Sequence, residues 1–362
     1  MRALALARDL IDANLGRGRR PFKLTLILNW ACNCRCSMCG IWKKSDAASL
    51  DAAEVDRFFE RNGHWSWINL SGGEILMNRD AEGIIASVVR RNRRLWLLDF
   101  PTTGHRPERL VGLVRTALEG GPRRVAVTVS LDGPAAVHES IRRAPGLFSR
   151  AMESMRGLRG LQDPRLVLRF GMTLSAANVG MVDETIEAAA REIPGLGPDD
   201  FHLNLAQTSE HYYGSADDAS IAAGGHHAAA LEAIRRHRGR VVGGGLVDRL
   251  EDAFQAGLET FLATGESPLT CSALRSSLYV DPEWNVHPCI TWNRPLGNLR
   301  SRDFDLDALL SSVLAAETRE GIRSRSCPDC WTACEAIPTL LSQVRAGFRL
   351  ERAGRSNRSH RS

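Results

Sequence analysis

Apolar runs and amphipathic stretches alternate along the first two thirds of the chain. Between residues 23 and 206, a run rich in Val, Leu and Ile is followed by a loop and a helical pattern, roughly every 30 to 35 residues. The runs are apolar almost without interruption, which is typical of parallel strands buried on both faces. We therefore predict an α/β fold, a partial (β/α)6 barrel. Its six strands start at residues 23, 66, 95, 124, 165 and 201, and its helices lie over 51–62, 79–92, 107–119, 147–160 and 181–192.

The pattern changes after the sixth strand. Residues 209–227 are polar and rich in Gly, which predicts a long connection before two helices near 226–237 and 246–263. Alternation around Asp281 and Pro282 predicts a β-hairpin, and 304–317 has the pattern of one more helix. These changes divide the chain into an extension over 1–22, an α/β domain over 23–225, a second domain over 226–344 and a tail over 345–362.

Composition and charge narrow the class of protein. Apolar residues make up 43% and charged residues 25% of the chain, as in ordinary soluble globular proteins. The net charge of +5 resides in the tail, which holds six Arg and one Glu, so the rest is balanced and nucleic-acid binding is not expected. The first residues lack the pattern of a secretory signal, and no apolar run approaches the ~20 residues that span a membrane. We expect a cytoplasmic protein without a membrane span.

The cysteines fall into two groups, four between residues 32 and 39 and five between residues 271 and 334. In a reducing compartment, such grouping indicates metal or iron–sulfur sites rather than disulfides. Directly after the first strand, Cys32, Cys36 and Cys39 form a Cys-x3-Cys-x2-Cys array. Three thiolates on a short loop can bind three irons of a four-iron cluster and leave the fourth iron open. The extra thiol of Cys34 leaves two alternative ligand sets: Cys34, Cys36 and Cys39 for the cluster, or all four thiols for a zinc ion. The spacing favours Cys32 as the first cluster ligand.

The array resembles the signature of the radical S-adenosylmethionine superfamily. The resemblance implies a four-iron cluster whose open iron binds S-adenosylmethionine, which is then cleaved reductively to a 5′-deoxyadenosyl radical. LSGGE follows the second strand and resembles the GGE motif of that superfamily. It implies that the glycine backbone lets the methionine part of the cofactor approach, and that the Glu receives its ammonium. These roles fall on Gly72, Gly73 and Glu74.

Three further segments resemble the same superfamily. SLDG after the fourth strand implies cofactor contacts for Ser130 and Asp132, with a turn-capping role as an equal alternative. VHESIRR implies that Arg142 orients a carboxylate, although an exposed helical Arg is the simpler expectation. PTTG at 101–104 has Thr103 where the superfamily usually has Asn, so no role is assigned to it. Asn204 ends the sixth strand and is expected to face the cofactor.

The second group of cysteines brackets and follows the predicted hairpin. Its order resembles the SPASM and twitch modules of many radical S-adenosylmethionine enzymes, which bind auxiliary four-iron clusters. Five cysteines instead of seven imply one auxiliary cluster, and a zinc ribbon is the alternative. The twitch pattern implies ligation by Cys271, Cys289, Cys327 and Cys330. Cys334 is then a candidate hydrogen donor, although it can also replace either late ligand.

The resemblance implies an enzyme that abstracts hydrogen from its substrate. We expect a small molecule, sugar or lipid headgroup, with dehydrogenation or epimerisation as the net reaction. The alternatives are maturation of a peptide through thioether or C–C crosslinks and, in another class, a non-catalytic zinc-binding protein. Only about 22 residues precede the first strand, too few for a peptide-recognition domain. An electron donor such as flavodoxin or ferredoxin is implied as a partner.

Overall fold

One sheet of nine strands organises the protein. The computed structural model describes residues 2–18, 20–44, 48–215, 225–243 and 245–347. Within them the strand order is β6-β5-β4-β3-β2-β1-β7-β8-β9, and β1 to β6 run parallel. This confirms the predicted α/β fold with a partial (β/α)6 barrel. The strands are β1 Lys23–Ile27, β2 Trp67–Ser71, β3 Leu97–Thr102, β4 Arg124–Ser130, β5 Leu166–Leu174, β6 Phe201–Leu205, β7 Ser277–Val280, β8 Asn285–His287 and β9 Gly297–Asn298.

Helices cover the outer face of the barrel. Each of the five predicted barrel helices begins and ends within two residues of its predicted bounds, whereas α5 was not predicted. The described helices are α1 Arg2–Asn14, α2 Ala52–Asn62, α3 Ala81–Arg91, α4 Pro107–Glu119, α5 Ala135–Arg142, α6 Leu147–Arg159, α7 Val182–Glu192, α8 His227–Arg240, α9 Leu246–Thr264, α10 Leu306–Leu310, α11 Val313–Arg323 and α12 Ala333–Ser342.

The two faces of the barrel strands differ in solvent exposure. On β4, the outward-facing Val125, Val127 and Val129 are fully buried beneath helices. The inward-facing Thr128 and Ser130 are partly exposed, and the inward positions of β3, β5 and β6 follow the same pattern. Solvent therefore reaches the inside of the barrel along these four strands. This internal space lies directly below the loops that leave the carboxyl ends of the strands.

The predicted helix over 304–317 is wrong as a single element. The structure has two helices there, α10 and α11, separated at Ser311 and Ser312. The Ser312 hydroxyl accepts a hydrogen bond from the backbone N–H of Ala315, at 3.1 Å. A Ser side chain that satisfies a free N–H group in this way begins a new helix, which explains the break.

The second predicted domain continues the barrel sheet. β7 pairs in parallel with β1, and β7 and β8 form the predicted hairpin. At the tip of the hairpin, the Asp281 carboxylate accepts backbone hydrogen bonds from Glu283 and Asn285. The sheet therefore runs from the barrel into the C-terminal region without a break.

Helix α9 connects the free edge of the barrel to the second cysteine group. Its Gln255 side chain donates a hydrogen bond to the backbone carbonyl of Leu203 on β6, at 2.8 Å. The preceding residue, Phe254, accepts a hydrogen bond through its backbone carbonyl from the Trp331 indole N–H, also at 2.8 Å. Trp331 directly follows Cys330, so one helix contacts both the last barrel strand and a cysteine loop.

The N-terminal extension forms α1, which is held at the amino ends of the strands. Its Asp9 pairs with Arg94 at 2.7 Å and accepts a hydrogen bond from Ser66. Across the described ranges, no helix has both the length and the apolar character needed to cross a membrane. Of the predicted basic tail over 345–362, residues 348–362 lie outside the described residues.

Candidate active site

Loops from the carboxyl ends of the barrel strands meet around one cavity. In parallel α/β folds this end of the sheet is where ligands bind, because the loops that leave neighbouring strands converge there. Nearly every barrel residue singled out from the sequence borders this cavity, although they come from four separate motifs. They are Cys32, Cys36, Cys39, Gly72, Gly73, Glu74, Ser130, Arg142 and Asn204.

The first group of thiols forms a hydrogen-bonded cluster centred on Cys34. Its S–H group donates to Cys36, which lowers the pKa of the Cys36 thiol to about 6, and to Cys32, whose pKa is also lowered. The pKa of Cys34 is raised by these same bonds. Burial raises the pKa of Cys39 to about 12. Cys34 therefore acts as the neutral donor, while Cys32 and Cys36 are favoured as thiolates, the form that binds metal.

The donor set is suited to iron rather than to hard cations. Thiolates are soft ligands that bind zinc and iron–sulfur clusters. Among the described residues, no three His, Cys, Asp or Glu side chains surround a position the size of one metal ion. The Cys32, Cys36 and Cys39 thiols border a shared cavity.

The GGE segment is packed against the chain that enters the cysteine loop. The N–H groups of Gly73 and Glu74 donate to the backbone carbonyls of Asn29 and Ala31, both at 2.8 Å. A Cβ atom on Gly73 would lie 2.3 Å from the Ala31 carbonyl oxygen and 2.4 Å from that of Trp30. Glycine is therefore required here by contact between two backbones, in addition to any approach of a cofactor.

The Glu74 carboxylate is held by the PTTG segment. It accepts hydrogen bonds from the Thr102 hydroxyl and from the Thr103 N–H, each at 2.6 Å, and from Leu76 N–H at 3.0 Å. The Thr103 hydroxyl also donates to the side chain of Asn33 in the cysteine loop, at 3.1 Å. The motif resemblance assigns no role to this segment, because Thr103 stands where Asn is usual. The two adjacent Thr residues are the sequence feature that could have indicated this role, since a Thr hydroxyl can donate to a buried carboxylate.

Asp132 and Arg142 form a buried ion pair. Arg142 Nε lies 2.5 Å from Asp132 Oδ2, and the Asp132 side chain is fully buried. Asp132 also accepts from the Thr173 N–H at 2.9 Å, so its carboxylate is occupied by protein donors. The expectation of an exposed Arg142 is wrong, because its side chain is only 12% exposed and borders the cavity. Asp132 therefore positions Arg142 and does not itself border the cavity.

A tyrosine pair closes the other side of the cavity. The loop after β6 is joined to the cysteine loop by the Gly40 N–H, which donates to the Tyr213 carbonyl at 2.7 Å. The Tyr212 hydroxyl lies 3.0 Å from the Ser71 hydroxyl, and burial raises its pKa. Tyr212 and Tyr213 are in ring contact, with centroids 4.6 Å apart. Both rings border the cavity, as does Asn204 on the neighbouring strand.

Three thiols of the second cysteine group are close together. The Thr291 hydroxyl lies 3.2 Å from Cys289 Sγ and 3.5 Å from Cys330 Sγ. Burial raises the pKa of Cys271, and the nearby Cys289 and Cys330 raise it further. Cys327 is close enough to Cys330 to raise the pKa of that thiol.

Cys334 lies toward the barrel. It packs against an apolar cluster that includes Tyr212 and that is also contacted by Cys32 and Cys39. Its backbone carbonyl accepts a hydrogen bond from Lys23 on β1. Cys334 therefore lies between the two groups of cysteines, a position that the sequence did not reveal.

Solved structures with the same architecture bind S-adenosylmethionine. The structure of anSMEcpe with bound AdoMet has a TM-score of 0.58 and 13% identity, and the match covers 93% of this chain and 100% of that chain. Streptococcus suis SuiB bound to S-adenosylmethionine has a TM-score of 0.55 and 11% identity, with 83% of this chain and 68% of that chain covered.

The chain shares the fold of these S-adenosylmethionine-bound structures. A structure of SuiB bound to the precursor peptide SuiA is also similar, with a TM-score of 0.53 and 10% identity over 86% of this chain and 70% of that chain. No protein-family model matches the sequence, and no curated protein matches it. In this chain the cysteine loop after β1 and the GGE segment after β2 occupy adjacent strand ends.

Proposed function

We propose that the protein is a radical S-adenosylmethionine enzyme that abstracts hydrogen from a small hydrophilic substrate. One observation supports this above the others: the Cys32, Cys36 and Cys39 thiols and the Gly72 to Glu74 segment border the same cavity at the carboxyl ends of β1 and β2. These three thiols would hold a four-iron cluster. That cluster supplies the electron that cleaves S-adenosylmethionine to a 5′-deoxyadenosyl radical.

The residues around the cavity have distinct roles in this proposal. The Glu74 carboxylate has about four acceptor positions, and three hydrogen bonds occupy it, which leaves one for the cofactor ammonium. Arg142 offers a guanidinium to the cofactor carboxylate, and Asp132 keeps that guanidinium oriented. Ser130 and Asn204 contribute hydrogen-bonding groups to the opposite wall. Glu74 and Arg142 are thus already held in place by their neighbours.

The inside of the barrel supports a hydrophilic substrate. Its partly exposed inward positions carry hydroxyl, amide, imidazole and carboxyl groups, which suit a sugar or another polar small molecule better than a lipid tail. On the last strand, His202 Nδ1 lies 2.8 Å from the Glu251 carboxylate of α9, so the wall is polar below the cofactor site too. The inward polar residues are Asp99, Thr128, Ser130, Thr173, His202 and Asn204. Dehydrogenation and epimerisation both fit this cavity.

Peptide maturation is a second candidate. The observation in its favour is that a similar structure, SuiB, is bound to its precursor peptide. At 10% identity that similarity concerns the fold. A thioether or C–C crosslink would need an extended peptide to enter the barrel, and hydrogen abstraction from a peptide would distinguish this candidate from the first.

The second cysteine group is proposed to hold one auxiliary four-iron cluster through Cys271, Cys289, Cys327 and Cys330. The shared contact of Cys289 and Cys330 with Thr291 supports this set. Cys334 is the proposed hydrogen donor, because it packs toward Tyr212, which borders the barrel cavity. We further propose a cytoplasmic location, where thiols stay reduced and flavodoxin or ferredoxin can deliver electrons.

Anaerobic purification and reconstitution test the proposed function. We expect about eight irons and a similar amount of sulfide per chain, as two four-iron clusters require, together with 5′-deoxyadenosine after addition of dithionite and S-adenosylmethionine. A colourless protein that contains zinc and no iron would instead identify a non-catalytic zinc-binding protein.

Cys330→Ala and Cys334→Ala are expected to separate the ligands of the second cluster from the hydrogen donor. Cys330→Ala should lose about four of the irons, because a cubane cluster bound by four thiolates is released when one is removed. Cys334→Ala should keep all of them and still form 5′-deoxyadenosine. Iron and sulfide analysis of both anaerobically prepared variants provides the measurement. Equal iron loss in the two variants would contradict the assignment of Cys334.

A further inference from the structure

Three cations without ion-pair partners lie on the outer side of the cysteine loop. Arg35, Lys43 and Arg143 are exposed, and none of them pairs with an acidic side chain in the part of the chain that the structure describes. Elsewhere on the surface many Arg side chains do pair, for example Arg91 with Asp56. The positive charge beside the cysteine loop is therefore not neutralised by these described residues.

Trp42 connects these cations to the cavity. The Arg35 guanidinium lies 5.7 Å and the Lys43 ammonium 5.4 Å from the centroid of the Trp42 ring. The Trp42 indole N–H donates to the backbone carbonyl of Cys39 at 2.8 Å, and the ring also borders the cavity. One aromatic side chain thus contacts the positive surface, a cysteine of the first group and the cavity.

Arg143 joins the same surface through the backbone. The Arg35 N–H donates to the Arg142 carbonyl at 3.0 Å, which fixes the cysteine loop against the end of α5. Arg143 follows directly in a left-handed conformation, with φ of 50°, and ends the helix there. We call Arg35, Trp42, Lys43 and Arg143 the basic loop face.

We propose that the basic loop face is the docking site for an acidic protein that carries one electron at a time. This inference rests on the proposed function, because only a cluster held by Cys32, Cys36 and Cys39 needs such a carrier. In each delivery the carrier is oxidised by one electron, the cluster is reduced by one electron, and no atom is transferred. An acidic carrier is favoured because complementary charge steers association and orients the partner over Trp42 and Cys39.

Charge-neutralising variants of the holoenzyme test the proposal. The test variant carries Arg35→Gln, Lys43→Gln and Arg143→Gln. The matched control carries Arg93→Gln, Arg115→Gln and Arg123→Gln, three exposed residues toward the amino ends of the barrel strands, with the same change in net charge. The probe is a bacterial flavodoxin in its fully reduced form. Its binding is titrated calorimetrically at low ionic strength, and cluster reduction is followed by stopped-flow absorbance.

We expect the test variant to bind flavodoxin about tenfold more weakly and to be reduced by it about tenfold more slowly than wild type, since electrostatic steering is worth 10-fold or more. The control should match wild type, added salt should remove the difference, and dithionite should reduce all three proteins equally. Equal flavodoxin binding by the test variant and wild type would overturn the docking site. Absence of 5′-deoxyadenosine with dithionite would overturn the proposed function instead, and the calorimetric titration would still measure docking.

Discussion

Cys36→Ala is expected to abolish formation of 5′-deoxyadenosine. With one of three ligands removed, the first cluster is lost, and with it the electron that cleaves S-adenosylmethionine. Chromatographic detection of 5′-deoxyadenosine after reduction with dithionite measures the effect. Cleavage at the wild-type rate would show that Cys36 is not a ligand.

Cys34→Ala is the matched control for that experiment. Cys34 lies two residues away on the same loop and is fully buried, but its proposed role is to donate hydrogen bonds to Cys32 and Cys36. We expect this variant to keep its iron and to retain cleavage; in the iron-free variant the pKa of the Cys36 thiol should be higher than in the iron-free wild type, because its donor is removed. Complete loss of the cluster in Cys34→Ala would instead support ligation by Cys34, Cys36 and Cys39.

Gly73→Ala is expected to disrupt the site without removing any ligand. The new Cβ atom would meet two backbone carbonyls at 2.3 and 2.4 Å, so the chain entering the cysteine loop has to move. Overpacking of this kind costs about 1–3 kcal/mol. We expect a lower unfolding temperature of the metal-free protein and a loss of iron from the first site.

Gly112→Ala provides the comparison. Gly112 lies within α4, and a Cβ atom there would have no neighbour within 4 Å. Because Ala favours helix over Gly by about 1 kcal/mol, this variant should be as stable as wild type or slightly more stable, with its full iron content. An unchanged unfolding temperature and iron content in Gly73→Ala would show that the cysteine loop adjusts without cost.

The strands and helices of the barrel could be predicted because each element has a local cause. Continuous Val, Leu and Ile runs form the strands, and Pro107 or Asp51 at a helix start gives a local boundary signal. The prediction of one helix over 304–317 is wrong because of another local feature. The apolar pattern continues through this segment, but the cap formed by Ser312 starts a new helix there. Local patterns thus predicted the elements wherever one signal dominated.

Burial and pairing of polar side chains could not be predicted in the same way. Arg142 is part of a helix whose sequence suits an exposed residue, yet it is buried because Asp132 lies opposite, ten residues away in the chain. His226 is a polar residue directly before α8, and only 5% of it is exposed. The burial of a polar side chain depends on which elements pack against it, and the spacing of residues along the chain does not reveal that packing.

The sequence by itself determined the α/β architecture, the two cysteine groups and the candidate cofactor motifs, because strand periodicity and ligand spacing are properties of short segments. Only the tertiary structure decided that Thr102 and Thr103 hold Glu74, that Gly73 is required by the backbone of the cysteine loop, and that Cys334 lies toward the barrel. The physical reason is that each of these contacts joins segments distant in sequence, and their geometry exists only once the sheet brings the strand ends together.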